Sequence, residues 1–332
     1  MSTVAVLGAG AWGTTLADLL ARKGFEVRLW AYEDSVVESI ARDHENTPFL
    51  PGCRLAPALT ASSDLGAVVA GAEFVVSVAP SHVVRQVLTR AAGAVSPHVI
   101  VVSATKGIET DTLGLMSEVA SQTLPPHRFV ALSGPSFALE VFQGQPTAVV
   151  AASADRSAAE AVQQLFSTGA FRVYSNRDVV GTELAGALKN VIAIAAGILE
   201  GLGLGHNPRA ALITRGLAEM ARLGAALGAD PATFAGLAGM GDLILTTCGS
   251  LSRNRQLGIA LAQGATFETY RREHRTVAEG ANTAQAAVRL ADRHGVELPI
   301  TTQVANILFK HQSPRQAVTE LMERALKPEQ WT

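Results

Sequence analysis

Cysteine is nearly absent: Cys53 and Cys248 are the only two in 332 residues. Two thiols exclude a disulfide framework and a cysteine-built zinc site, and they suit a reducing compartment. Charge is scarce as well. Charged side chains make up 17% of the chain and the formal net charge is −2, which removes any electrostatic reason to expect nucleic acid or an acidic membrane surface. An anion must therefore be gripped by a local cluster and not by an overall field. The eight histidines lack metal-ligand spacing, neither H-E-x-x-H nor C-x-x-C occurs, and no G-x-S-x-G elbow supports a serine triad. Internal repeats, low-complexity tracts and charge blocks are missing too. The most apolar stretch, Val191 to Leu204, is shorter than a bilayer span and is broken by Glu200 and glycines, so it reads as a buried helix. The first strand-like run begins within a few residues of Met1 and leaves no room for a signal or transit peptide. The expectation is a cytoplasmic protein without membrane insertion.

What remains is apolar. Apolar residues make up 48% of a chain too long for one ordinary core, and two domains follow naturally. Short apolar runs at Thr3–Leu7, Val27–Trp30, Phe74–Val78, Val99–Ser103, Phe129–Leu132, Ala148–Ala151 and Phe171–Tyr174 read as strands. Helical segments such as Ser81–Ala92, Leu113–Gln122 and Arg156–Phe166 separate them, and such alternation predicts a mostly parallel sheet with helices on both faces. Beyond about Asn176 the strand signal stops. Helical spacing covers 178–200, 208–227, 232–237, 253–263, 279–294, 301–309 and 314–325. An apolar helix near Ala185 would form the junction between the halves, where ligand clefts tend to lie.

One motif has a specific setting. Val4-Ala5-Val6-Leu7 runs straight into Gly8-Ala9-Gly10-Ala11-Trp12-Gly13, a G-x-G-x-x-G turn that opens a helix at Thr14 to Lys23; a second strand, Glu26 to Trp30, follows. Strand, glycine turn and helix in this order bring bare backbone N–H groups to a pyrophosphate. A nicotinamide or flavin nucleotide is the expected ligand. The fold class is therefore α/β: a Rossmann-type, doubly wound, mostly parallel sheet over 1–176 and a C-terminal all-helical domain over 177–332.

Ligands of such sheets collect beyond the carboxyl ends of the strands. Two loops there are chemically unusual. Ala104-Thr105-Lys106-Gly107 carries an ammonium beside a flexible glycine, and Ser133-Gly134-Pro135-Ser136 is a nest-prone turn before a short helix at Phe137. In the second half, Lys189 is the only charge between Glu183 and Glu200 on a strongly apolar helix. Desolvation there would lower its pKa and let it trade a proton near neutrality; the alternative is an ammonium that snorkels to water along its stem. Asn190, next to it, reads as a local hydrogen-bonding partner. Asp242 stands among glycines and apolar residues, followed by the hydroxyls of Thr246 and Thr247. It would either accept a hydrogen bond from Lys189 or a substrate hydroxyl, or cap a helix. Ser252-Arg253-Asn254-Arg255 gathers two guanidinium groups, a hydroxyl and an amide at a helix start, a combination suited to a phosphate dianion.

Taken together, Gly8–Gly13, Ala104–Gly107, Ser133–Ser136, Leu184–Val191, Gly239–Thr247, Ser252–Arg255 and Val277–Gly280 fall in the order and spacing of bacterial NAD(P)-dependent glycerol-3-phosphate dehydrogenases, which this chain resembles over its whole length. The resemblance implies reversible hydride transfer between NAD(P)H and dihydroxyacetone phosphate, giving sn-glycerol 3-phosphate, the precursor of glycerophospholipids. It implies that Lys189 moves the proton at the substrate oxygen, with Asp242 orienting it. Lys106, Gly134, Ser136, Lys189, Asp242, Ser252, Arg253 and Asn254 would contact the substrate. Gly8, Gly10, Ala11, Trp12, Gly13, Tyr32, Lys106, Ala138, Arg253, Val277 and Glu279 would contact the cofactor. No metal is implied, and the apolar helical half makes a homodimer reasonable.

The chain departs from the family twice. Ala11 stands where serine is frequent, so one side-chain contact to the pyrophosphate region is lost. After the second strand, Ala31-Tyr32-Glu33-Asp34 replaces the basic residue many relatives use for a 2′-phosphate, which predicts tolerance of NADH or a preference for it. Two other readings compete: a nucleotide-sensing regulator, which need keep neither Lys189 nor Asp242, and a two-domain 2-hydroxyacid or 2-keto-acid reductase, which would not require the Ser252–Arg255 cluster.

Overall fold

The computed structural model describes residues 2–274, 278–326 and 328–329. Its strands are β1 (Thr3–Leu7), β2 (Glu26–Trp30), β3 (Glu45–Asn46), β4 (Leu50–Arg54), β5 (Thr60–Ser62), β6 (Phe74–Ser77), β7 (Ile100–Ser103), β8 (Arg128–Ser133), β9 (Thr147–Ala152) and β10 (Phe171–Asn176). Eight of them form one sheet in the order β10-β9-β8-β7-β6-β1-β2-β5, and β3 and β4 form a separate antiparallel pair. Six strands of the large sheet run parallel; β9 is antiparallel to β8, and β10 follows β9. Alternate side chains of β1 feed different cores. Val4 and Val6 pack on one face of the sheet, while Ala5 and Leu7 pack on the other, so both faces are buried as parallel sheets require.

The order reverses between β1 and β6. The chain leaves β1 toward β2 on one side and later returns to β6 on the other, which opens a crevice beyond the strand ends. Three short strands, β3 to β5, had no sequence signal. They are two to five residues long, β4 contains Pro51 and Gly52, and β5 is a polar edge. The helix expected from Leu113 begins at Met116, because Leu113 itself sits at a positive φ of 65° that no helix admits.

Beyond Asn176 the described residues are helical. The centre is a 23-residue helix, Val179–Gly201, whose N-terminus is capped by the Asp178 side chain accepting from Gly181 N at 2.8 Å. This corrects the expectation from Val191–Leu204: the helix is long and apolar enough to cross a membrane by length and composition alone. Burial assigns it to the core, since 89% of its most apolar window lies inside the protein. Its backbone touches that of the helix Arg253–Ala262. A Cβ on Gly197 would lie 2.0 Å from the Arg255 carbonyl oxygen, and one on Gly258 would lie 2.0 Å from that of Ile194. Only a glycine pair permits that approach, and it fixes where the Ser252–Arg255 segment stands relative to Lys189.

Candidate active site

The glycine turn has the division of labour its spacing predicts. Gly8, at φ +117°, would place a Cβ 2.9 Å from Ala79 N in the loop after β6, and Gly13 would place one 1.9 Å from the Gly8 carbonyl oxygen. Both glycines are demanded by the protein's own packing. A Cβ on Gly10 would meet nothing within 4 Å, so its bareness faces open space. Gly10 also precedes the helix Ala11–Arg22 without a side-chain cap. An uncapped twelve-residue helix, behind a glycine that borders free space at the topological switch point, fits the pyrophosphate of a dinucleotide.

Other expected cofactor contacts spread around this crevice. Trp12 packs its ring on Phe171 at 6.4 Å, and Tyr32 is 76% exposed at the end of β2. The Ala138 carbonyl accepts a hydrogen bond from Thr15 Oγ1 at 3.2 Å, which ties the loop after β8 to the glycine-turn helix. Glu279 opens the helix Glu279–Arg293 and accepts a hydrogen bond from Ser81 Oγ at 2.6 Å. Val277 lies outside the described residues.

The chemical centre forms where the loops after β7 and β8 meet the helical half. Asp242 begins the helix Asp242–Cys248 and is fully buried. The preceding residues, Leu237–Gly241, make a π-helical turn, and a Cβ on Gly239 would lie 2.1 Å from the Phe234 carbonyl oxygen. Such a turn re-aims the side chain that follows it. One oxygen of Asp242 accepts from Lys189 Nζ; the other accepts from Lys106 Nζ at 2.6 Å. Lys189 Nζ also donates to Thr246 Oγ1 at 2.7 Å, and that hydroxyl donates to the Asp242 carbonyl oxygen at 2.7 Å. Lys106 Nζ donates further to the Gly134 carbonyl oxygen at 3.1 Å, as does Ser136 Oγ at 3.0 Å. Gly134 itself is at φ +144°, where a Cβ would press on Val149 Cα at 2.9 Å.

Two ammonium groups thus share one carboxylate, and the cluster carries surplus positive charge in a dry place. Burial is the largest influence on Lys189 and pushes its pKa from 10.5 down to about 7. The Asp242 charge opposes that shift, and the neighbouring Lys106 charge adds to it. Snorkelling to water is excluded, because the Lys189 residue is 6% exposed and its ammonium is held by Asp242 and Thr246. Lys106 reaches it over Gly186, one helical turn before Lys189, where a Cβ would sit 2.8 Å from Ser133 Oγ and 3.5 Å from Lys106 Cγ.

The basic helix start differs from its expectation. Arg255 is not free for an anion: it forms a two-pronged ion pair with Glu200 at 2.6 and 2.9 Å, which Arg209 joins at 3.1 Å. Ser252 is buried and caps its helix by accepting from Arg255 N at 3.2 Å. Asn254 donates to Asn190 Oδ1 at 2.9 Å and accepts from Gly280 N at 3.0 Å, so the main partner of Asn190 is 64 positions away and not local as expected. Arg253 alone makes no hydrogen bond or ion pair among the described residues; its residue is exposed, but burial of the guanidinium lowers its pKa while the charges of Glu279 and Tyr270 oppose that shift. Of the two guanidinium groups expected to be open to an anion, Arg255 is committed to Glu200. The sequence reading also missed the Ser81–Glu279 contact. No local signal reports a bond between residues 198 positions apart.

The chain matches the family described as NAD-dependent glycerol-3-phosphate dehydrogenase, its N-terminal part over residues 3–159 and its C-terminal part over residues 178–319. It is 58% identical over 331 residues to the glycerol-3-phosphate dehydrogenase [NAD(P)+] of Geobacter sulfurreducens, covering 99% of both chains. The solved structure of the Coxiella burnetii glycerol-3-phosphate dehydrogenase superposes with a TM-score of 0.94 at 40% identity, over 97% of this chain and 99% of that one. A yeast glycerol-3-phosphate dehydrogenase structure superposes with a TM-score of 0.82 at 27% identity, over 98% and 99% of the two chains.

Proposed function

The chain belongs to the NAD-dependent glycerol-3-phosphate dehydrogenase family, and we propose that within this reaction Lys189 is the general acid and base, held by Asp242. It is an NAD(P)-dependent oxidoreductase that interconverts dihydroxyacetone phosphate and glycerol 3-phosphate. The division we adopt is 1–176 for the cofactor half and 177–332 for the substrate half; in its favour, β10 ends at Asn176 and the central helix starts at Val179. Gly8, Gly10, Ala11, Trp12 and Gly13 would hold the nucleotide at the switch point, with Tyr32, Ala138 and Glu279 around it. When bound, the nicotinamide supplies or accepts the hydride.

The chain's own residues do the rest. As negative charge grows on the substrate oxygen, the Lys189 ammonium neutralises it and delivers its proton; in the reverse direction the neutral amine takes that proton back. Asp242 keeps Nζ in place, and Lys106 contributes a second positive charge in the same dry cluster. Gly134 and Ser136 line the substrate's approach, while Arg253, beside Ser252 and Asn254, grips the phosphate. Grip on that remote group positions the reacting carbon. The observation that carries this reading is a buried lysine that shares a fully buried carboxylate with a second lysine, a setting in which burial pushes the Lys189 pKa down to about 7. The test compares oxidation of reduced nicotinamide by dihydroxyacetone phosphate with that by unphosphorylated dihydroxyacetone. Equal rates would remove the phosphate-gripping role.

The pH dependence has a definite sign. Lys189 must be protonated to act as an acid, and its pKa is lowered to about 7. Ketone reduction should therefore be level in kcat/KM below about pH 7 and fall about tenfold per unit above it, while alcohol oxidation should rise through the same region. Rates measured in both directions across about three pH units check this; parallel profiles would contradict a single group serving both directions.

The site further favours NADH. Glu33 precedes the helix Asp34–Asp43, yet its carboxylate makes no cap hydrogen bond and remains available to a ribose hydroxyl, whereas it would repel a 2′-phosphate. We expect kcat/KM with NADH to equal or exceed that with NADPH, and Glu33→Ala to shift the ratio toward NADPH by about tenfold. A parent enzyme strongly biased to NADPH would refute this. The same reading places sn-glycerol 3-phosphate as precursor for glycerophospholipids and the enzyme in a reducing cytoplasm. Cys53 and Cys248 are both free thiols, which supports the latter.

A further inference from the structure

The switch-point crevice is walled by the loops after β1 and β6, which touch where Gly8 faces Ala79. Ser81 lies two residues beyond that contact and is 2% exposed. Its hydroxyl does not cap a helix. It crosses to the other half of the chain and donates to Glu279 Oε2 at 2.6 Å. A third segment closes on the same point: a Cβ on Gly107, in the loop after β7, would lie 2.5 Å from Ser81 Oγ and 3.2 Å from Glu279 Oε2. Three segments far apart in sequence are thus packed so that one hydroxyl can reach one carboxylate oxygen. The Ser81 backbone N–H acts on the same Glu279 carboxylate, so both hydrogen-bond donors of Ser81 hold it.

We propose that Ser81 is a positioning residue for cofactor binding: it pins one oxygen of Glu279 and so presents the other to the hydroxyl and amide donors of the nicotinamide nucleotide. This rests on the reading above that Glu279 stands at the cofactor's edge. The physical reason is rotational. An unpinned glutamate has three side-chain torsions to immobilise when the ligand arrives, and a carboxylate already fixed by a short hydrogen bond has lost that freedom beforehand. The first turn of the helix Glu279–Arg293 favours negative charge, and Arg253 and His82 also draw Glu279 toward its ionised form. Burial is the largest influence and raises the Glu279 pKa on balance; the Ser81 hydroxyl is the strongest of the contacts that oppose it, and so supports the form that accepts hydrogen bonds best. Ser81 touches neither substrate nor Lys189 in this scheme, and its effect should appear in cofactor affinity alone.

The test is a double-mutant cycle on the full chain, read by fluorescence titration with NADH in the absence of substrate. Ser81→Ala should raise the Kd for NADH about tenfold, while leaving KM for dihydroxyacetone phosphate and saturated kcat within about twofold. Glu279→Ala should raise the Kd at least as much, and the double variant should bind no worse than Glu279→Ala alone, because Ser81 works through Glu279. A parent-like Kd in Ser81→Ala, or losses that simply add, overturns the proposal. A parent-like Kd in Glu279→Ala instead overturns the placement of Glu279 at the cofactor. The thermal midpoint of each cofactor-free variant separates these outcomes from unfolding: a Kd increase with a lowered midpoint that falls equally on substrate KM assigns Ser81 a structural role and likewise overturns the proposal.

Discussion

Lys189→Met should lose about a thousandfold in kcat for dihydroxyacetone phosphate reduction while its Kd for NADH stays within about twofold. Methionine keeps the length and apolar stem but brings no proton and no charge. Two losses combine. The developing alkoxide has no acid within reach, a deficit of about a hundredfold to ten-thousandfold for a well-placed group, and it loses half of the positive charge around Asp242. The fold should tolerate the change, because Asp242 keeps its bond to Lys106 at 2.6 Å and is not left as a lone buried charge. Burying an unpaired lysine in the reciprocal variant, Asp242→Ala, should be worse for stability. Steady-state kinetics with a parallel NADH titration decide the matter. A variant that retains more than about a tenth of parental kcat would remove Lys189 from the chemistry.

At saturating NADH, Arg253→Ala should raise KM for dihydroxyacetone phosphate by about a hundredfold and change the response to unphosphorylated dihydroxyacetone hardly at all. A charge-assisted hydrogen bond contributes about 1.5–3 kcal/mol, and a guanidinium on a phosphate makes two. The structure sharpens this prediction beyond what composition allowed. Arg255 is engaged by Glu200, Ser252 caps its own helix, and Asn254 clamps Asn190 to Gly280 N, so these neighbours offer no second guanidinium. Arg253→Lys should recover part of the loss, since an ammonium supplies the charge without the forked geometry. A KM shifted by less than about threefold in Arg253→Ala would mean that the phosphate is held elsewhere.

Much of this was readable along the chain, for reasons that can be stated residue by residue. Gly8, Gly10 and Gly13 were legible because the turn, the helix and the strand that give them meaning are contiguous. Lys189 stood out because charge on an apolar helix is costly and therefore conspicuous. The strand positions of the main sheet followed from apolar runs bounded by turn residues, whereas β3 to β5 did not, being short, polar or interrupted by proline. Arg255 was misjudged for a different reason. A basic helix start looks alike whether its guanidinium faces a ligand or a distant carboxylate, and Glu200 lies 55 positions away.

The sequence by itself determined the alternation of strands and helices, the bare glycine turn, and the kinds of side chain available for proton transfer and anion binding. Those are properties of short segments, where torsional preference and periodic burial act locally. Only the tertiary structure decided which side chains meet. It brought Lys106, Lys189 and Asp242 to one point from the loop after β7, the central helix and the helix after the π turn. It diverted Arg255 to Glu200 and joined Ser81 to Glu279 across 198 residues. Pairing of this kind depends on how the glycine contacts at Gly197, Gly258 and Gly280 set the spacing between helices, a sum of long-range packing that no local window contains.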